Sequence, residues 1–165
     1  MVKGQEIVLE LETKVVNELI NRGFHIACAE SCTGGLLCGA LVNVPNASAV
    51  LDSSFVTYAN EAKIKYLGVK EETIAEYGVV SEAVAGQMAC GVAAECGAQV
   101  GVATSGIAGP AGGTETKPVG MVCFGFCIDG KVTTVTKHFG MIGRNQVREA
   151  AVQFALEKLN ELLKR

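Results

Sequence analysis

The chain of 165 residues contains no tryptophan, three prolines, two histidines and two aspartates. Each shortage excludes a class of chemistry. The aspartates are Asp52 and Asp129, and Asp129 stands in a "DG" turn, so a carboxylate-rich two-metal centre is not available. His25 and His138 are too few for an ordinary zinc site, and the seven cysteines include no C-x-x-C pair. A Ser-His-Asp triad would have to use one of those histidines, and neither lies near the reactive-looking loops described below. Basic clustering is also missing. The net charge is −3 with lysine and arginine dispersed, which argues against a nucleic-acid partner. No apolar run is long enough to cross a membrane. The N-terminus, "MVKGQEIVLELETKVV", carries acids within its apolar pattern and has no signal-peptide core. These absences predict a soluble, cytoplasmic protein.

What is present suits a packed core. Hydrophobic residues make up 49% of the chain and charged residues 19%, so one folded domain over residues 1–165 is expected. The odd number of cysteines forbids complete internal pairing. Most of them read as small buried apolar groups in a reducing compartment.

Apolar positions Ile7, Val8, Leu11, Val15, Leu19 and Ile20 recur at helical spacing, and Gly23 supplies a C-terminal stop. "FHIACAES" predicts a strand, followed by a helix from about residue 34 to 42 with Thr33 as its N-cap. "SSFVTYA" predicts a second strand. Short helices end at Gly68 and Gly78. Ser81 caps a long alanine-rich helix over residues 82–96. "AQVGVATSG" is a third, fully buried strand, and "MVCFGFCI" and "KVTTVTKHF" form a hairpin about Asp129-Gly130. A last helix covers residues 145–163. Strands alternating with helices and then closing in a hairpin predict an α/β fold, a three-layer α/β/α sandwich with a mixed β-sheet.

Three stretches concentrate reactive or permissive residues, all at strand ends, where open α/β sheets place their ligands. In "AESCTGG", Ser31 lies between a strand and a helix N-terminus, and Thr33, Gly34 and Gly35 could offer backbone N–H groups to an anion. The same letters also suit a plain capped turn. In "FVTYANEAK", Lys63 can act as base for a serine if burial lowers its pKa, and Tyr58 can relay a proton or hold the lysine. Asn60 adds a polar group there. The third stretch, "TSGIAGPAGGTETKPVG", puts Ser105 and Gly106 before a long irregular loop whose Gly112 and Gly113 could expose amides to a phosphate. Arg144 and Arg148 open the last helix one turn apart. Cations there oppose the helix dipole and call for an anion or another compensating group. Cys32 is a rival nucleophile without a histidine partner.

Taken in order and spacing, "AESCTGG", "FVTYANEAK", "LGV", "GVVSEAVA", "TSGIAGPAGGTETKPVG" and the R-x-x-x-R pair at Arg144 and Arg148 resemble the C-terminal domain of the CinA (competence-damage-inducible) family. The resemblance spans residues 6–163 and looks like the stand-alone form. It implies hydrolysis of nicotinamide mononucleotide to nicotinic acid mononucleotide and ammonia, in pyridine nucleotide recycling. It also implies an α/β/α fold, a homo-oligomer, and neither metal nor cofactor. By the same resemblance Ser31 is the nucleophile, with Tyr58 and Lys63 as its catalytic partners. From the reading of the three loops, Thr33, Gly34, Gly35, Asn60, Ser105, Gly106, Gly112, Gly113, Arg144 and Arg148 are the expected substrate-binding residues. One departure is Ile142-Gly143, where the family commonly has Gly-Asp. Two other readings stand beside the amidohydrolase: a non-catalytic nucleotide-binding module, and a thiol enzyme using Cys32.

Overall fold

The computed structural model describes the backbone from residue 3 to residue 165 and side chains from residue 10 onward. Ile7 and Val8 therefore lie outside the described side chains. In chain order the elements are α1 (Lys3–Arg22), β1 (Ile26–Glu30), α2 (Leu36–Val42), β2 (Phe55–Val56), α3 (Asn60–Leu67), α4 (Glu71–Tyr77), α5 (Glu82–Cys96), β3 (Val100–Gly106), β4 (Met121–Ile128), β5 (Lys131–His138) and α6 (Arg144–Leu163). The five strands form one sheet in the order β2-β1-β3-β4-β5. β1 runs parallel to β2 and β3, whereas β4 and β5 are antiparallel additions. The mixed sheet and its two helical layers match the fold read from the sequence.

Strand alternation divides the core in two. Ile26, Cys28, Val100, Val102, Val122, Phe124 and Phe126 face one way and pack with Val15, Leu19, Leu37, Leu41, Leu156 and Leu159 of α1, α2 and α6. Ala27, Ala29, Ala103 and Cys127 face the other way, against Val84, Met88, Ala89 and Val92 of α5 and Leu67 of α3. The second face is built of small residues because α5 lies close to the strands. A Cβ on Gly101 would fall 1.9 Å from the Ala89 carbonyl oxygen, and one on Gly125 would fall 2.1 Å from that of Ala85. Large side chains on one face and small ones on the other thus set two different helix-to-sheet distances.

Local signals hold at most ends. Ser81 accepts the Val84 N–H at the start of α5, and the hairpin register pairs Ile128 with Lys131 around Asp129-Gly130. All seven cysteines are free, and Cys28, Cys32, Cys123 and Cys127 are buried. Two boundaries differ from the reading. Helix α2 begins at Leu36, because Gly34 and Gly35 take φ of +57° and +98°, outside the helical region. β2 has two residues, because beyond Val56 the chain turns its carbonyls toward α3 and leaves the ladder. Among the described residues no helix is long and apolar enough to cross a membrane.

Candidate active site

Ser31 directly follows β1. Its N–H donates to the Thr104 carbonyl (3.1 Å) on the β3 side, and next to it the Glu30 carbonyl accepts the Thr57 N–H (2.9 Å) on the β2 side. The serine is therefore fixed at the carboxyl end of the central parallel strands. A cleft opens there, lined by Ser31, Cys32, Tyr58, Asn60, Lys63, Ser105, Gly106 and Arg144, with Val79, Val80 and Ala108 as its apolar wall.

Lys63 projects from α3 into this cleft and is 1% exposed. Its Nζ lies 3.1 Å from Ser31 Oγ, 2.7 Å from the Thr57 carbonyl and 3.3 Å from the Tyr58 carbonyl. No carboxylate pairs with it among the described residues. Burial without a counter-ion penalises the ammonium form and lowers its pKa from the ordinary 10.5. A neutral amine keeps two N–H bonds and one lone pair. In that form, two N–H groups on the Thr57 and Tyr58 carbonyls leave the lone pair for the Ser31 hydroxyl, whereas the ammonium donates to all three oxygens.

Tyr58 enters this arrangement through its main chain. The residue is 61% exposed and its phenol accepts from Arg144 Nη2 at 3.1 Å; of the two roles read from the sequence, relay or holding the lysine, the contact present is the holding one, made by the carbonyl. Arg144 also donates from Nη1 to the Gly109 carbonyl (2.8 Å). Its cation is thereby held at the cleft wall with donors to spare. Ser105 is buried and donates to the Val79 carbonyl (2.8 Å), which leaves its oxygen lone pairs available.

The N-terminus of α2 is not an open anion site. The buried Glu30 side chain occupies it, accepting from Thr33 Oγ1 (2.6 Å), Leu37 N (2.8 Å) and Cys38 N (3.0 Å). Thr33 is accordingly not the N-cap. Its hydroxyl is spent on Glu30 and Thr104, and the residue is fully buried. The Gly34 amide donates to the Ser31 carbonyl (3.1 Å). Thr33, Gly34 and Gly35 thus form the turn that follows the serine and do not line the cleft. Of the residues in this turn after Ser31, Cys32 is the one that lines the cleft.

Two further sets of candidates lie away from the cleft wall. Gly112 and Gly113 lie on an exposed loop tip outside the cleft. Thr114 and Lys117 close that tip on themselves through two hydrogen bonds, and the Lys117 ammonium is held by the Tyr77 carbonyl. Arg148 also lies outside the cleft. Its Nε donates to the Cys32 carbonyl (3.0 Å) and its Nη2 to the Thr33 carbonyl (3.2 Å), which answers the need for compensation near the start of α6. The Cys32 thiol is pushed up to about 11 by burial, so it is protonated near neutral pH and unsuited to attack. Sequence reasoning missed Glu30 and the Thr57 carbonyl. A lone acid ending an otherwise apolar strand was the one available signal for Glu30, whereas a carbonyl leaves no trace in the sequence.

The family model described as the CinA C-terminal domain matches residues 8–163. A CinA-like protein of Chloroherpeton thalassium is 45% identical over 159 residues, covering 92% of this chain and 38% of that protein. A CinA-like protein of Kosmotoga olearia is 46% identical over 154 residues, covering 93% and 37%. The chain therefore spans less than half the length of these curated relatives. Among solved structures, the competence/damage inducible protein CihA from Agrobacterium tumefaciens superposes with a TM-score of 0.92 at 42% identity, covering 96% of each chain. A CinA superfamily protein from Klebsiella pneumoniae gives 0.91 at 39% identity, covering 95% of this chain and 98% of its own. With its fold and its matched length in agreement, this chain belongs to the CinA C-terminal domain family.

Proposed function

We propose that the chain is a serine amidohydrolase that deamidates nicotinamide mononucleotide, giving nicotinic acid mononucleotide and ammonia. The observation that carries the reading is the buried Lys63 amine 3.1 Å from the Ser31 hydroxyl. The substrate comes from the family resemblance. It is supported by a cleft that pairs this nucleophile with one wall cation, Arg144, and the polar Asn60 and Ser105.

In this mechanism Ser31 Oγ attacks the carboxamide carbon while Lys63 takes the hydroxyl proton. The carbonyl oxygen becomes an oxyanion, which the Cys32 amide receives. Collapse breaks the C–N bond, and the Lys63 ammonium returns the proton to the departing nitrogen, which leaves as ammonia. Water then attacks the Ser31 ester, with Lys63 again accepting a proton. The carboxylate product departs, and Ser31 regains its hydrogen from the lysine. Arg144 and Asn60 hold the nucleotide's anionic end. A homo-oligomer and a cytoplasmic location belong to the same proposal, and light scattering of the purified chain tests the first.

Ammonia release from nicotinamide mononucleotide without added metal, measured beside Ser31→Ala, tests the reading. Release by the parent and a loss of about 10³-fold or more in the variant support it. Binding seen by calorimetry with no release from the parent would make the domain a nucleotide-binding module instead.

A further inference from the structure

We propose that Arg148 is a positioning residue for the nucleophile turn: it sets the peptide planes that aim the Cys32 amide, and it does not bind substrate. The inference rests on the serine amidohydrolase reading above.

Arg148 reaches from α6 across to the turn after β1. It spends Nε on the Cys32 carbonyl, Nη2 on the Thr33 carbonyl and Nη1 on Asn145 Oδ1 (3.1 Å). The Thr33 carbonyl also accepts the Leu36 N–H (3.1 Å), but among the described residues the Cys32 carbonyl has no donor other than Arg148. Gly34 leaves room for the guanidinium, since a Cβ there would already touch Nη2 at 3.4 Å.

A trans peptide points its N–H opposite to its C=O. Turning the Thr33 carbonyl toward α6 sends the Gly34 N–H the other way, and it is found on the Ser31 carbonyl at 3.1 Å. That bond fixes the Ser31–Cys32 plane, two back along the chain, while Arg148 Nε holds the Cys32–Thr33 plane between them through the Cys32 carbonyl. With the Ser31 carbonyl directed at Gly34, the Cys32 N–H points away from Gly34. Linked peptide planes therefore carry an orientation from α6 to the amide beside the nucleophile. Glu30 grips the same turn from inside the core through Thr33, Leu37 and Cys38. Glu30 anchors the α2 side of the turn, and Arg148 anchors its carbonyl side. Oxyanion donors act through fixed direction, so loosening one plane weakens transition-state stabilisation without removing a substrate contact.

The test compares kcat and KM for nicotinamide mononucleotide hydrolysis by the parent, Arg148→Gln, Arg148→Lys and Arg144→Gln, with melting curves for each. Calorimetric binding of the same nucleotide is measured on Ser31→Ala with and without Arg148→Gln. The expected result is a kcat about 10²-fold lower in Arg148→Gln, with KM and binding within about threefold. Arg148→Lys recovers part of kcat, because an ammonium reaches one carbonyl but cannot fork to both. Arg144→Gln moves chiefly KM. Unchanged kcat in Arg148→Gln, or a rise in KM and Kd at constant kcat, overturns the inference. Should Arg148→Gln fail to fold, Arg148→Lys decides on the same split, since it keeps the charge and one bond. A parent that releases no ammonia removes the amidohydrolase reading and this inference together. An active parent with an indifferent Arg148 removes the inference alone.

Discussion

Lys63 Nζ and Ser31 Oγ lie 3.1 Å apart, and the lysine's other two close partners are main-chain carbonyls. Burial disfavours the charged form of this amine and lowers its pKa, while the carbonyls accept from it in either form. The pH dependence follows. The base works only when deprotonated, so the rate rises with pH through the Lys63 pKa and levels above it. Desolvation holds that pKa below 10.5, so the limb falls below the range of an ordinary lysine. Each unit of lowering raises the neutral fraction at a given lower pH about tenfold. A kcat/KM profile should show this limb, and Lys63→Met should lose both the limb and about 10²–10⁴-fold of the rate. A parent rate still climbing past pH 10.5 would count against the assignment.

Tyr58 separates two roles for one residue. The phenol meets Arg144, while the carbonyl meets Lys63. Tyr58→Phe keeps the carbonyl and deletes the phenol, so kcat should stay within about threefold, with a modest rise in KM through a freer Arg144. A fall in kcat of about 10²-fold would restore the phenol to the proton path.

Cys32 is next to the nucleophile but chemically quiet. With its thiol near 11, the thiolate is about a thousandth or less of the population at pH 7.5. Cys32→Ser should keep activity within about fivefold, because the amide remains and the side chain contributes packing. Alkylation by iodoacetamide, followed by intact mass, should be slow at this site. Loss of all activity in Cys32→Ser would revive the thiol-enzyme reading.

Gly91 governs how α3 sits on α5, and α3 carries Lys63. A Cβ at Gly91 would fall 1.9 Å from the Leu67 carbonyl oxygen, a main-chain atom that cannot swing aside. Gly91→Ala should therefore destabilise by roughly 1–3 kcal/mol, which is about 2–4 °C in Tm per kcal/mol for a domain of this size. Activity at low temperature should fall as well, since displaced α3 moves the base. An unchanged Tm would mean that α3 is not held by this contact.

Much of the layout was legible because it depends on neighbours in the chain. Helical spacing located α1, Ser81 located the start of α5, and Asp129-Gly130 located the hairpin. Of the residues named for the cleft, Ser31, Tyr58, Asn60, Lys63, Ser105, Gly106 and Arg144 do line it. The residues placed differently share one cause. Thr33 has the letter of an N-cap, but Glu30 reaches the α2 amides first. Gly112 and Gly113 have the letters of a phosphate loop, but Lys117 and Thr114 fold that loop onto itself. Arg148 has the letter of an anion binder, but two carbonyls claim its guanidinium.

The sequence by itself determined the order and type of the elements, the two-faced sheet and the presence of a serine at the end of its central parallel strands. Alternation, capping and turn conformation are local properties that each residue carries with it. Only the tertiary structure decided which polar groups are spent and which remain. Those outcomes depend on carbonyl directions and on burial. Both arise when segments distant in the chain meet, as when the pairing of β2 with β1 brings Lys63 against Ser31 and turns a surface-type lysine into a buried amine.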